Sequence, residues 1–173
     1  DTAEGLKALK EIGVTDLVML TGDNRETAEV VAEQAGITEV HANLLPENKV
    51  EIAEQIIDKG RITAFVGDGV NDAPVLARVD AGIAMGGLGS AAAMEAADVV
   101  IMDDNPKKIS LAIRIGRKTV RLAKENIWFA LIVKLLVLVL GALGLVNMWA
   151  AVFADVGVAV IAIANSMRAL RVK

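Results

Sequence analysis

Residues 67–74 read GDGVNDAP and follow an apolar run, ITAFV (62–66). Asp68 and Asp72 put two carboxylates within one short loop, with Asn71 between them and glycines at 67 and 69. Carboxylate oxygens are hard ligands suited to Mg²⁺, which keeps several waters and binds through one or two carboxylates plus a phosphate. Glycine lets backbone approach such a group closely, and Asn71 can donate an amide hydrogen without adding charge. A second polar cluster, TGDN (21–24), closes another apolar run, DLVML (16–20). Thr21 offers a hydroxyl and Gly22 a backbone N–H to a phosphate oxygen. Lys49, in LLPENK, offers a point charge to balance phosphate beside the acidic pair. Taken singly, TGD is a common turn and Lys49 a common solvated helix residue. Taken together they describe a Mg²⁺–phosphate site. His41 has no flanking ligand partners and reads as a surface residue of a strand or loop.

These clusters need elements to hold them. Helical spacing runs over Thr2–Ile12, stopped by Gly13, over Arg25–Ala35, stopped by Gly36, and from Pro46 through Ile57, closed by Gly60. Short apolar runs at 16–20, 39–42, 62–66, 81–85 and 98–102 read as strands. Strands alternating with helices imply an α/β domain with a parallel sheet covered on both faces. Ligands of such sheets bind beyond the carboxyl ends of the strands, where both polar clusters fall. Strand order does not follow from the pattern.

TGD, a later proline-to-lysine stretch and GDGVNDAP, in that order, resemble the phosphorylation domain of P-type ATPases, a haloacid dehalogenase-like, Rossmann-like fold. The resemblance implies that Thr21 holds the transferred phosphoryl group, that Lys49 neutralises it and that Asp68 binds Mg²⁺. It further implies that Asn71 and Asp72 complete the network, Asp72 as a second Mg²⁺ ligand, and that Gly22 and Asp23 lie near the ATP-derived phosphate and nucleotide. The family's nucleophilic aspartate sits in DKTGT, which is absent here, as are the nucleotide-binding insertion and the TGE of the actuator domain. The chain opens without an initiator Met, directly into a helix, and is expected to be a piece of a longer protein that does not turn over ATP by itself.

The charge is divided. Residues 1–105 carry 7 Lys+Arg against 20 Asp+Glu, a net of −13, and residues 106–173 carry 11 against 2, a net of +9, which together give the overall −4. With no cysteine, neither a disulfide nor a thiolate metal site can form within the chain. No nucleic-acid partner is expected.

Residues 127–146 and 148–167 are two apolar stretches of twenty, each with one charge, and about twenty apolar residues cross a hydrocarbon core of roughly 30 Å. The short connection at Asn147 makes them an antiparallel hairpin. Basic residues precede it (Lys107, Lys108, Arg114, Arg117, Lys118, Arg121, Lys124) and follow it (Arg168, Arg171, Lys173). Both ends therefore belong on the cytoplasmic side, and Trp128 and Trp149 suit the interfaces. The expected divisions are 1–105 as the α/β part, 106–126 as a basic juxtamembrane helix, 127–167 as the transmembrane hairpin and 168–173 as a basic cytoplasmic tail. The juxtamembrane segment is either drawn to anionic lipid or a rigid extension of the first membrane helix.

A charge at mid-membrane costs roughly 2.5–3.5 kcal/mol on insertion scales, so Lys134 and Asp155 need a partner or a task. Counted from a turn at 147, their levels differ by roughly 7–8 Å, a gap a lysine stem can bridge. They form an internal salt bridge, or Asp155 is a cation ligand and Lys134 its counter-charge. A lysine in the first helix and Asp155–Gly157 as D-x-G in the second resemble the zinc/cadmium/lead-exporting branch of the heavy-metal P-type ATPases. NIWF (126–129) and NSM (165–167) do not match the copper branch. The resemblance implies an ATP-driven Zn²⁺/Cd²⁺ exporter in a prokaryotic plasma membrane, with actuator and nucleotide-binding domains and further membrane helices supplied from outside this chain. Two rivals keep their place: a membrane-anchored phosphatase of the same superfamily, and a non-catalytic remnant or partner.

Overall fold

The computed structural model describes residues 2–67, 70–86, 91–103 and 105–171. It divides into two compact units, Asp1–Ser110 and Leu111–Lys173.

In the first unit, α1 (Thr2–Glu11), β1 (Val18–Leu20), α2 (Arg25–Ala35), β2 (Glu39–His41), α3 (Pro46–Ile57), β3 (Ala64–Gly67), α4 (Ala73–Leu76), β4 (Ala81–Met85), α5 (Ala91–Ala96) and β5 (Val99–Ile101) follow one another. Helix ends are set by local chemistry. Asn24 accepts from the Thr27 N–H to cap α2, and Gly36, at φ 72°, ends it in the left-handed conformation. Pro46 opens α3, where its missing N–H is no loss, and the Asn48 side chain accepts from the Leu45 N–H. The core is small and aliphatic: Leu9, Ala28, Ala32, Ala53, Val75, Leu76, Ile83 and Ala84 are buried.

Strand pairing among the described residues is parallel. β1 pairs with β2, with Val18 opposite Glu39 and Leu20 opposite His41. β4 lies between β3 and β5, with Gly67 opposite Ala84 and Met85 opposite Ile101. The single sheet expected from the sequence is thus two ladders among the described residues, β1–β2 and β3–β4–β5. Alternating β and α segments specify parallel strands but not which strands are neighbours, and no hydrogen-bonded pairing joins β1 to β3 within the described residues. Strands β1, β2, β3 and β5 also run shorter than the apolar runs that foretold them, whereas β4 matches its run. Aspartates anchor their starts, Asp80 accepting from the Thr63 N–H and Asp98 from the Gly82 N–H. Gly82 is required where α4 crosses β4, since a Cβ there would meet the Leu76 carbonyl oxygen at 2.4 Å.

In the second unit, α6 (Lys107–Ala142), which begins in the first, continues from the basic stretch into the apolar one as one 36-residue helix. A connection leads to α7 (Met148–Ser166) and a 3₁₀ turn over Met167–Arg171. Both helices are long and apolar enough to cross a membrane. α6 ends in a Schellman motif, in which the Leu145 N–H donates to Leu140 O and the Gly144 N–H to Gly141 O, with Gly144 at φ 71°. Asn147 then caps α7 by accepting from the Ala150 N–H. The first helix therefore stops short of 146, and the turn is centred nearer 145 than 147. Lys134 lies eight residues before the end of α6 and Asp155 seven after the start of α7, so their levels agree to about one residue rise of 1.5 Å. The level difference expected from the sequence came from placing the turn on Asn147 instead of the left-handed Gly144.

Candidate functional site

Both polar clusters follow the carboxyl ends of strands, as their spacing predicts. Thr21 comes directly after β1, and its N–H donates to His41 O, extending the β1–β2 ladder by one step. The next residues turn back on themselves. The Asp23 N–H donates to the Thr21 hydroxyl oxygen at 3.1 Å, and that hydroxyl donates to the Asp23 carboxylate at 3.0 Å. Two backbone bonds bracket this turn against the loop after β2, from the Leu44 N–H to Thr21 O at 3.0 Å and from the Asn43 N–H to Asp23 O at 2.8 Å. Asn43 adopts φ 57° to make the bracket, a conformation asparagine tolerates better than most residues. Gly22 lies under it, where a Cβ would stand 3.3 Å from Leu44 O.

The bracketed loop runs straight into α3, and the first turn of that helix delivers Lys49. Its ammonium donates to Asp72 Oδ1 at 2.8 Å, with side chains only 16% and 10% exposed. Asp72 ends a 3₁₀ turn over Val70–Asp72 and folds back over the end of β3. Gly67 permits that fold-back, because a Cβ there would lie 2.8 Å from both Asp72 Cβ and Oδ2. A chain of contacts thus runs from Thr21 through Leu44 and α3 to Lys49 and Asp72. Asn71 is exposed on the same turn. Asp68 lies outside the described residues.

Among the described residues, no three His, Cys, Asp or Glu side chains converge as a metal cage. Asp72 offers one buried carboxylate, with one oxygen held by Lys49. That donor set fits a cation that takes few protein ligands and completes its shell with water and phosphate oxygens. Lys49 and Asp72 thus pair one ammonium with one largely buried carboxylate, and the loop that leads into α3 ties back to the turn carrying the Thr21 hydroxyl.

In the second unit the ammonium of Lys134 lies 3.3 Å from Asp155 Oδ1 across the hairpin, with side chains 68% and 64% exposed. At Gly157, completing D-x-G, a Cβ would meet nothing within 4 Å.

Residues 1–80 match the family model described as haloacid dehalogenase-like hydrolase. The cadmium, zinc and cobalt-transporting ATPase of Bacillus subtilis (strain 168) is 53% identical over 176 residues, covering 100% of this chain and 25% of that protein. The zinc-transporting ATPase of Synechocystis sp. is 53% identical over 171 residues, covering 97% of this chain and 24% of that protein. A crystal structure of a zinc-transporting PIB-type ATPase in the E2.Pi state superposes with a TM-score of 0.91 at 38% identity, over 98% of this chain and 27% of that one. The chain belongs to the heavy-metal P-type ATPases. It spans about a quarter of the length of the curated relatives it matches, and it is a fragment of a membrane protein whose α/β part is haloacid dehalogenase-like.

For a heavy-metal P-type ATPase fragment, two sets of residues escaped the sequence reading. Asn43 went unremarked because only its left-handed backbone marks it. Asn126 and Asn165 were read merely as failing to match the copper branch, yet they bond to each other across the hairpin at 2.9 Å.

Proposed function

We propose that this chain supplies the phosphate-receiving part of the phosphorylation domain, and a cargo-facing membrane hairpin, to an ATP-driven exporter of Zn²⁺ or Cd²⁺. The names of its relatives support zinc and cadmium as cargo. The observation that carries the reading is the Lys134–Asp155 pair, set in a hairpin belonging to the same chain as a haloacid dehalogenase-like unit. A phosphatase that merely anchors itself in lipid has no use for opposite charges inside its anchor.

Within the α/β unit, Thr21 and the Gly22 N–H would hold the transferred phosphoryl oxygens and Asp23 would lie on the nucleotide side. Receiving that anion calls for the Thr21 hydroxyl proton to turn from Asp23 to phosphate. Lys49 would offset the phosphoryl charge, and Asn71 would donate to it. Asp72, with Asp68, would hold Mg²⁺, which when bound neutralises charge developing on the transferring group. The phosphorylated aspartate, ATP-binding domain and actuator domain would come from the rest of the transporter.

In the membrane, Asp155 would ligate the cargo cation and Lys134 would replace it on release. Basic residues on both flanks of the hairpin support a cytoplasmic location for residues 1–126 and for the tail, in a plasma membrane. The unbroken course of α6 supports residues 106–126 as an extension of the first membrane helix. In the full-length transporter reconstituted in vesicles, Asp155→Ala should abolish zinc-stimulated ATP hydrolysis while phosphorylation by ATP persists. Unchanged zinc stimulation would defeat the reading.

A further inference from the structure

Beyond the Lys134–Asp155 pair, the hairpin has a second polar layer, at the end remote from its connection. The Asn126 side-chain amide donates to Ala162 O at 3.2 Å and to the Ser166 hydroxyl at 2.9 Å. Its oxygen accepts from the Asn165 amide at 2.9 Å, which also reaches the Glu125 carboxylate at 3.4 Å. Ser166 donates in turn to Ala162 O at 2.9 Å. The Arg168 guanidinium donates to the Asn165 side-chain oxygen at 2.8 Å and lies 3.5 Å from the Glu125 carboxylate. Both asparagines therefore use both ends of their amides, and Asn126 and Asn165 are half-buried against each other.

This layer and the charged pair share one register. Eight residues along α6 lead from Asn126 to Lys134. Seven to eleven residues back along α7 lead from Ala162 or Ser166 to Asp155. At 1.5 Å per residue these are rises of about 12 Å and about 10–16 Å, so an arrangement that satisfies one layer satisfies the other. The intervening helix surfaces are apolar, and hydrocarbon is as apolar as they are, so burial gives helices in lipid little preference for one register over another. A slip of one turn, about 5.4 Å, would keep apolar contacts but unmake the bonds of the amide layer that cross between the helices.

We propose that Asn126 and Asn165, with Glu125, Ser166 and Arg168, form a clasp that fixes the register of α6 on α7 and so holds Lys134 level with Asp155. These are positioning residues: they act on the cargo path through the charged pair. The inference rests on the reading of that pair as part of the path.

The test uses the full-length transporter in vesicles with zinc alone as the probe. Asn126→Ala and Asn165→Ala should each lower turnover at saturating zinc about fivefold, in line with the modest worth of interhelical hydrogen bonds in membranes. Phosphoenzyme formed from ATP per molecule should stay at the parent level. Ser166→Ala, which removes one partner and keeps the amide pair, should lower turnover about twofold. Added to Lys134→Ala, Asn126→Ala should lower turnover no further, because the group it positions is gone. Turnover and phosphoenzyme falling together in proportion, no change in either single variant, or effects that multiply in the Lys134→Ala background would each overturn the clasp. Lys134→Ala with unchanged turnover would instead defeat the reading of the pair, so the two failures are told apart.

Discussion

Lys49–Asp72 in the α/β unit and Lys134–Asp155 in the hairpin are the same two functional groups at similar distances, 2.8 and 3.3 Å. Their surroundings are opposite. The first pair is enclosed by its own unit: α3 brings the lysine, the fold-back over Gly67 brings the aspartate, and both are largely shielded from solvent. The second pair stands open on the hairpin, its geometry set by a turn and an amide layer and its enclosure left to whatever surrounds the hairpin. A buried pair is costly to break from one side because the orphaned charge stays buried. Losing either partner of the second pair strands no charge within the α/β unit. The first pair should therefore couple folding to chemistry, and the second should report on transport alone.

The largest effect expected from this contrast is that of Asp72→Ala in the full-length transporter. It strands the Lys49 ammonium and should reduce the local stability of α3 and α4 by about 3–5 kcal/mol, read as faster amide exchange, together with loss of Mg²⁺-dependent phosphorylation. Replacing both partners, as Lys49→Met with Asp72→Leu, should return most of the stability and none of the phosphorylation, since well-packed apolar pairs often substitute for buried ion pairs. Were the double variant as unstable as the single one, the pair would be structural first and chemical second. Asp155→Asn should behave conversely. Zinc-stimulated turnover should drop on the order of 100-fold, as when a metal site loses a supporting group, while amide exchange in α3 and α4 stays unchanged.

The contrast also explains what could be read from the sequence. Helices α2 and α3 and strand β4 were legible to the residue, because Asn24, Gly36 and Pro46 are local signals and AGIAM is bounded by turns. Both polar clusters were legible as strand-end loops and Lys49 as a phosphate-balancing charge near the acidic one, but its direct bond to Asp72 was not. The separation of β1–β2 from β3–β4–β5 was not, because neighbour choice between parallel strands leaves no trace in periodicity. In the hairpin, charge placement was legible and register was not. An asparagine at 147 and a glycine at 144 both mark turns, and choosing the wrong one moved Lys134 away from the level of Asp155. The Asn126–Asn165 bond, spanning 39 positions, depends on that same choice.

A smaller effect tests how the enclosed pair is built. Gly67→Ala introduces a methyl that would sit 2.8 Å from Asp72 Cβ and Oδ2 and 2.9 Å from the Phe65 ring. None of these is the loose end of a flexible chain, so Asp72 must shift. A loss of about 1–3 kcal/mol in local stability is expected, with weaker phosphorylation that added Mg²⁺ only partly restores. A variant with parent exchange rates and phosphorylation would mean that the loop after β3 yields freely and that Gly67 does not hold Asp72 against Lys49.

The smallest effect comes from a third lysine–carboxylate pair, Glu4 with Lys107, on the surface of the α/β unit. The Lys107 ammonium, donating to the Glu4 carboxylate, holds its pKa below the ordinary glutamate value, and the charge of Lys107 acts the same way. A carboxyl lowered on folding adds stability above its unfolded pKa, and that contribution disappears as pH falls through the lowered folded value. Glu4→Gln should therefore match the parent in strong acid and be slightly less stable near neutrality, with a difference that shrinks as salt is raised because the pair lies at the surface. Gly5 beside it packs on Pro106, where a Cβ would meet the proline Cβ at 2.9 Å, so the α1 contact itself should survive the change. If amide exchange of α1 instead rose as steeply as that of α3 does in Asp72→Ala, solvent exposure would not be what separates the pairs. Enclosure would then lose its place as the cause of the difference between Lys49–Asp72 and Lys134–Asp155.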